Sequence, residues 1–400
     1  MRTSMNRLDL GQGFVILPLS SDETAKENAY FLGWGAESVD PGCVGQFSTV
    51  VDFFNFDSSK PQSTLGFSNS KIFPSFKELK KTFLKEFYSL KSGRVWNREL
   101  ILANKNLLAP GARFQKKFEQ IKNSIQAGLV NKVVLLDSWV DSYSQAQESK
   151  ELFWNSLIEF FENKSDSVGG EDLFFAYANS SRGVFGLSPE YIFVARQESS
   201  KSMTQIKTMA LAGTQKRDSR SEALFLNDPK ERYEHQLVAQ EIFAKWSSPE
   251  LGAKLLGEPA TSVAHFGQIS HLKTLFDFQV DTPLELDLAR KWVSVLHPTP
   301  ALGVSPKTDF TLGIQKKLNS DLESRIFGAP LLVYSRESNQ IRSVALVQIR
   351  CVEFVFSTGQ NQGAFVLTTG CGVVGASRLE QEQKEIQLKR LATLSRLGLV

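Results

Sequence analysis

Three short apolar runs, Leu173–Ala178, Val184–Gly186 and Tyr191–Val194, follow one another with only brief polar segments between them, and this succession constrains the fold most. A crossover between parallel neighbours needs about a dozen residues or more, so strands joined this closely pair antiparallel. Elsewhere helical and extended patterns alternate without a regular βα period. Phe114, Phe118, Ile121 and Ile125 fall on one helical stripe, and Gly128 suits the stop that follows. Asn131 to Leu136 reads as a strand and Leu152 to Phe161 as a helix. Asp228 as N-cap with Pro229 behind it starts a helix that runs to about Trp246. Ser343 to Ile349, Val352 to Phe356 and Ala364 to Thr369 read as strands. Ser377 with Glu380 reads as a capping box opening a C-terminal helix. The irregular alternation favours α+β over a regular parallel fold.

Residues 1 to about 105 carry weaker signals: strands at Phe14–Leu17 and Val50–Phe54, and a helix over Ser75 to Leu90. No composition shift marks a boundary, so 1–105 is expected to integrate with 106–400, where the chemistry-bearing motifs lie. With 46 basic and 43 acidic residues the net charge is +3, which speaks against nucleic acid as a partner but leaves room for a locally basic site for a small anion. Three cysteines, Cys43, Cys351 and Cys371, leave an odd thiol and no metal-ligand spacing, as in a reducing compartment. With no signal peptide and no membrane span legible, the expected location is the cytoplasm.

Three constellations bear chemistry. Glu231 and Glu234 lie three apart on one helix, and Glu382 and Glu385 three apart on another, with Lys389 one turn on. Two such faces meeting would offer the oxygen ligands that Mg2+ prefers; on spacing alone, two solvated faces are the commoner meaning. Gly370-Cys-Gly-Val-Val-Gly375 superficially matches a dinucleotide fingerprint, but too little chain follows to complete a βαβ unit. It reads instead as a turn with exposed N–H groups before a helix, either holding an anion or holding nothing. Lys132 opens an apolar strand and Glu190 follows Ser188-Pro189 in a turn; burial would suit them to base and acid roles, while spacing alone favours a surface pair. The four histidines form no recognisable metal or catalytic pair.

In order along the chain, these segments resemble the chorismate-utilising enzymes, with their isochorismate, salicylate, anthranilate and aminodeoxychorismate synthases. The resemblance covers roughly residues 113 to 390. Its pieces are Lys132 to Leu135, Phe185 to Glu190, Ala210 to Thr214, Lys230 to His235, His271-Leu272, Leu296 to Ala301, Ile349-Arg350, Gly370 to Val374, and Ser377 to Lys389. It implies an anthranilate-synthase component I-like α+β fold: two packed antiparallel sheets with outer helices and a deep active-site cleft. Lys132 is similar to the lysine of water-using members, and Ala212 stands where aminodeoxychorismate synthases carry a nucleophilic lysine. The run His297 to Ala301 looks like the isochorismate-forming branch.

The resemblance therefore implies an isochorismate synthase, an isomerase feeding menaquinone synthesis. Alternatives are a salicylate synthase, a siderophore-pathway isochorismate synthase, an anthranilate synthase (against which Lys132 speaks) and a non-catalytic chorismate-binding protein. Lys132 would take a proton from the attacking water and Glu190 would protonate the departing hydroxyl. Unperturbed groups of these types titrate near ~10.4 and ~4.3, so the pocket would have to bring both toward neutrality. Mg2+ would be held by Glu234 and Glu385, with Glu231 and Glu382 acting through water. Arg350 and Lys389 would meet substrate carboxylates. The N–H groups around Gly370 and Gly372 would assist, with Thr214 and His271 as polar contacts. The expected partner is chorismate alone, bound by a monomer without a glutaminase subunit or membrane. Four departures stand out: Asp137 replaces an arginine, Phe327 a tyrosine, Cys371 an alanine, and Arg378-Leu379 an Asp-Pro pair.

Overall fold

The computed structural model describes residues 14–19, 29–38, 47–54, 56, 60–91, 108–165, 172–217, 221–320, 326–356 and 362–400. Cys43 lies outside the described residues; Cys351 and Cys371 are free and buried. The strands are Phe14–Pro18 (β1), Tyr30–Ser38 (β2), Thr49–Phe54 (β3), Pro61–Phe73 (β4), Lys132–Tyr143 (β5), Leu173–Ala178 (β6), Arg182–Ser188 (β7), Tyr191–Glu198 (β8), Thr204–Lys216 (β9), Lys254–Leu256 (β10), Thr261–Phe266 (β11), Ile269–Val280 (β12), Val304–Ser305 (β13), Pro330–Arg336 (β14), Gln340–Val347 (β15), Cys351–Val355 (β16) and Gly363–Val374 (β17). The helices are Phe76–Phe87 (α1), Ala112–Gln126 (α2), Ala146–Asn163 (α3), Glu222–Leu226 (α4), Pro229–Trp246 (α5), Leu286–Leu296 (α6), Asp309–Leu318 (α7) and Leu379–Arg396 (α8).

Every described pairing is antiparallel; β10 and β11 both pair with β12, and from β12 onward the pairings run as one path. One half passes from β11 through β12, β9, β8, β15 and β14 to β3. The long β4 then hands over to β2, and the second half continues through β1, β6, β7, β16, β17 and β5 to β13. The halves stack as two sheets. Val15, Leu17, Phe175, Val184, Leu211, Val333 and Val344 fill the layer between them. Outside the second half, α1 and α3 cover a phenylalanine-rich layer that includes Phe76, Phe83, Phe153 and Phe161. Outside the first half, α5 and α6 bury Trp246 and Trp292 against Phe193 and Phe278. A third outer cluster joins α2 and α8 to β5 and β17. Strands apolar on both faces follow directly from this sandwich with helices on either side.

Two expectations about elements need correction. Ser377 does not cap α8: its Oγ accepts from the N–H of Val374, and the N-cap position is Arg378 without a side-chain bond. The run from Gly370 to Val374 is not a turn but the last part of β17, paired with β5.

Candidate active site

The helix that carries the first acidic pair begins as its sequence dictates. The Asp228 carboxylate accepts from the N–H groups of Lys230 and Glu231, and Pro229 occupies the first turn. This fixes the phase of α5, so that Glu231, Glu234 and His235 point inward and are buried. On α8, Glu382 is wholly buried and Glu385 nearly so. The two acidic faces meet. Lys230 Nζ bridges them, 3.3 Å from Glu231 Oε1 and 3.1 Å from Glu382 Oε1. Lys389 Nζ lies 2.5 Å from Glu385 Oε1, and Lys132 Nζ lies 3.0 Å from Glu234 Oε1.

Beside this cluster opens a cavity lined by Glu190, Thr214, Glu234, His271, Arg350 and Lys389 among others. Gly370 and Gly372 form part of its wall. They stand opposite Leu136 and Val134, whose own N–H groups turn the other way, to Asn319 Oδ1 and Gly303 O. The N–H groups of Gly370 and Gly372 therefore point off the free edge of β17. The Gly370 carbonyl on that edge accepts from Lys389 Nζ at 2.8 Å. A Cβ at Gly372 would fall 2.1 Å from Glu234 Oε1 and 2.5 Å from Lys132 Cε. The glycine motif is thus explained by close passage of a lysine and a carboxylate over a strand, rather than by a phosphate-binding turn.

A bulge shapes the opposite wall. His271 pairs with Thr214 and Leu272 with Ala212, so Gly213 is the extra residue, at φ +76°. Such a conformation suits glycine at a bulge. The bulge brings the Thr214 N–H to Glu231 Oε2 at 2.8 Å and the Gly213 carbonyl to His271 Nδ1 at 2.9 Å. Nδ1 must donate there, so Nε2 accepts from Arg350 Nη2 at 3.1 Å. Burial, with Arg350 and Lys389 nearby, pushes the His271 imidazolium down to about 3, which keeps the ring neutral. Arg350 is fixed in turn by an unusual backbone, φ 53° in a non-glycine residue, the kind of strain that concentrates at functional sites. Burial pushes its guanidinium down to about 10, still charged at neutral pH, with Glu385 and Glu190 opposing the shift.

Glu190 sits in the turn between β7 and β8. The Ser188 hydroxyl lies 2.7 Å from the Val347 carbonyl and 3.0 Å from that of Glu190, and accepts from the Glu190 N–H. Ser188 thereby locks the turn that presents the carboxyl to the cavity. Burial raises that carboxyl to about 7, against the pull of Lys132, Arg350 and Lys389 and a weaker contribution from Thr299. Burial likewise lifts Glu231 and Glu382 to about 7. For Glu385 burial also pushes upward, but Lys389 and Lys230 outweigh it and hold the carboxyl below the usual range.

Of the residues singled out from sequence, Glu190, Thr214, Glu234, His271, Arg350, Gly370, Gly372 and Lys389 line the cavity. Lys132, Glu231, Glu382 and Glu385 lie behind that wall; Lys132 is fully buried under Gly372 and beside Glu234. Two of the departures lose their bearing on substrate. The Asp137 side chain pairs with Arg390, away from the cavity. Cys371 borders the cavity, but its side chain belongs to the core under α2 and α8, where burial keeps the thiol protonated. Phe327 does line the cavity. Sequence reasoning did not assign a role to Lys230, although it sits inside the quoted run of residues 230–235, because nothing in its spacing shows that it faces a second helix.

The donor set suits a hard divalent cation, since it consists of carboxylate oxygens. Glu382 is wholly buried; its Oε1 faces the Lys230 ammonium at 3.1 Å, and neither of its oxygens accepts a hydrogen bond of good geometry. Among the described residues no three such groups already surround a common point, and the Lys230 ammonium lies between the two helices instead.

Two packed antiparallel sheets, with a polar cleft backed by glutamates from two helices, define an α+β scaffold with an enzyme-like site. Residues 70–398 match the family model described as chorismate binding enzyme, and the chain belongs to that family. A curated relative, the salicylate biosynthesis isochorismate synthase of Pseudomonas aeruginosa, is 28% identical over 232 residues, 56% of this chain and 44% of the relative, so the match spans less than half of that protein. The fold is similar to that of a 2,3-dihydroxybenzoate-specific isochorismate synthase from Bacillus anthracis (TM-score 0.66, 18% identity, 98% of this chain and 97% of that one). It is also similar to the menaquinone-specific isochorismate synthase of Escherichia coli (TM-score 0.65, 15% identity, 96% and 88%). Anthranilate synthase component I from Streptococcus pneumoniae shares it at a TM-score of 0.55, 13% identity, 98% and 94%. No described helix is long and apolar enough to cross a membrane.

Proposed function

We propose that the chain is an isochorismate synthase that converts chorismate to isochorismate. The observation that carries this reading is the buried Glu190 carboxyl on the cavity wall, raised to about 7 and therefore able to donate a proton near neutral pH. Arg350, held by neutral His271, and Lys389 supply two cationic groups for the two carboxylates of the substrate, and the edge N–H groups of Gly370 and Gly372 add neutral donors. Water adds at ring carbon two, the ring double bonds shift, and the hydroxyl at carbon four leaves as water after taking the Glu190 proton. Lys132 takes the proton that the attacking water gives up. Taking that proton requires a neutral amine, which the contact with the Glu234 carboxylate opposes, so this role requires the pair to separate in the substrate complex. Magnesium, held by Glu234 and Glu385 with Glu231 and Glu382 reaching it through water, would supply positive charge against the ring carboxylate.

The test is chromatography of the products formed from chorismate with and without Mg2+. Isochorismate as the product supports the proposal; salicylate would move the chain to the pyruvate-eliminating branch, and no turnover would leave a binding protein. Lys132→Ala and Glu190→Gln should each lower turnover by about 100-fold or more, the usual contribution of a positioned acid or base. Full turnover in both would end the role assignment. Menaquinone synthesis is the proposed destination, on the ground that it is the more general use of isochorismate. Quinone analysis of cells lacking the gene tests it.

A further inference from the structure

Lys230 has no task in the chemistry just described, yet it stands at the centre of the acidic cluster. Its ammonium touches one carboxylate from each helix, Glu231 and Glu382, and its charge is felt by Glu234 and Glu385 as well. Lys132 and Lys389 are committed elsewhere: the first to Glu234, the second to Glu385 and the Gly370 carbonyl. Lys230 is thus the cation that neutralises the interface between α5 and α8.

We propose that Lys230 is an internal counter-ion of the metal cage, whose ammonium sits between Glu231 and Glu382, the two glutamates that would reach the divalent cation through water, and must swing out when the metal binds. The inference rests on the metal reading proposed above. Three features support it. An ammonium paired with two carboxylates of the cage and a dication on the other two would stand close enough to repel strongly. Lys230 lies at the rim, in the first turn of α5, with 17% of its side chain exposed, so its flexible stem has a route to solvent. Without a cation the facing carboxylates would repel, and an ammonium holds the cage assembled until a metal arrives. Metal affinity is then set by a competition between Lys230 and the dication.

The test measures Mn2+ binding to the full chain by electron paramagnetic resonance, with Mg2+ as competitor, in wild type and Lys230→Met. The variant is expected to bind at least about tenfold more tightly, and its melting temperature should rise more on metal addition than that of wild type. A second measurement needs no variant: reductive methylation of wild type, read by mass spectrometry, should leave Lys230 protected without metal and labelled with saturating Mg2+. If wild type binds metal but Lys230→Met binds no more tightly, or Lys230 labelling ignores bound Mg2+, the counter-ion role is overturned and the metal site stands. If neither protein binds metal, both readings fall.

Discussion

Lys132 Nζ and Glu234 Oε1 stand 3.0 Å apart over the backbone of Gly372, and this contact exists because Gly372 has no side chain. Gly372→Ala would drive a methyl group to 2.1 Å from Glu234 Oε1 and 2.5 Å from Lys132 Cε. Lys132 has no exposed surface and cannot retreat, and Glu234 can move only into the cavity it lines, which breaks its contact with Lys132. We expect a loss of about 1–3 kcal/mol from overpacking. We also expect turnover to fall by about 100-fold, because a displacement near 1 Å at reacting groups costs that much. Gly370→Ala is the control: its added methyl meets the tip of Leu136 at 2.6 Å, which a rotamer change can relieve. Thermal melting and turnover of both variants decide the matter. Equal behaviour would show that Gly372 is not constrained by the ion pair.

The Glu190 carboxyl gives a pH prediction. Burial raises it from about 4.5 in the unfolded chain to about 7 in the folded one. The folded state therefore holds the proton more tightly. This favours folding fully below the unfolded value, and the advantage is lost as pH climbs through about 7. Above that, a buried charge has been created at a cost on the order of 3 kcal/mol by the same linkage. Glu190→Gln, which carries no ionisable proton, should match wild type at pH 5 and exceed it in stability at pH 8. Wild-type turnover should fall above about pH 7 as the donor loses its proton. Denaturant melts at the two pH values, with a pH–rate profile, check both halves. An unchanged stability gap would mean that Glu190 is ionised from the start.

Much of this site was legible before any coordinates, though for unequal reasons. The Asp228-Pro229 start, the Gly128 stop and the three short strands after Leu173 are local signals, and the structure reproduces them. The acidic pairs could be placed on helix faces from spacing, but spacing cannot say that α5 and α8 face each other; the order of family motifs supplied that. The glycine motif reads as a turn in sequence yet lies in a strand, because glycine signals close approach as well as bending, and the approaching groups come from distant segments. Lys132 was placed on its strand, but its seat behind the cavity wall depends on Glu234, about a hundred residues later in the chain. The partner of Asp137 was hidden for the same reason.

Arg350 and His271 form a positioning pair with a kinetic signature. The His271 ring is neutral and accepts from Arg350 Nη2 through the ordinary working range. His271→Ala removes that acceptor and the link to the Gly213 carbonyl, so the guanidinium is free to wander. A hydrogen bond to a charged group contributes about 1.5–3 kcal/mol, so we expect KM for the substrate to rise by about tenfold or more. The shape of the pH–rate profile should not change, because the imidazole does not titrate near neutrality. Steady-state kinetics across pH separates this from an acid or base role for His271, which would lower kcat and remove one limb of the profile.

The Asp137–Arg390 pair makes the clearest distinction between stability and chemistry. Arg390 is 1% exposed; it lies 2.5 Å from Asp137 Oδ2 and donates to the Leu108 carbonyl at 3.0 Å. Asp137 thus answers an arginine brought by α8, and its side chain is outside the cavity lining. Asp137→Ala would leave the guanidinium buried with its charge uncompensated. Breaking such a pair from one side typically costs about 3–5 kcal/mol; because Asp137 is partly exposed, the lower end is expected. The double change Asp137→Ala with Arg390→Met removes both charges and should recover most of the loss, since the remaining Leu108 carbonyl is a neutral acceptor. Neither protein should differ from wild type in kcat or KM at a temperature where it is folded. Melting curves and kinetics on the three proteins test this, and a raised KM in Asp137→Ala without loss of stability would place Asp137 in the substrate site after all.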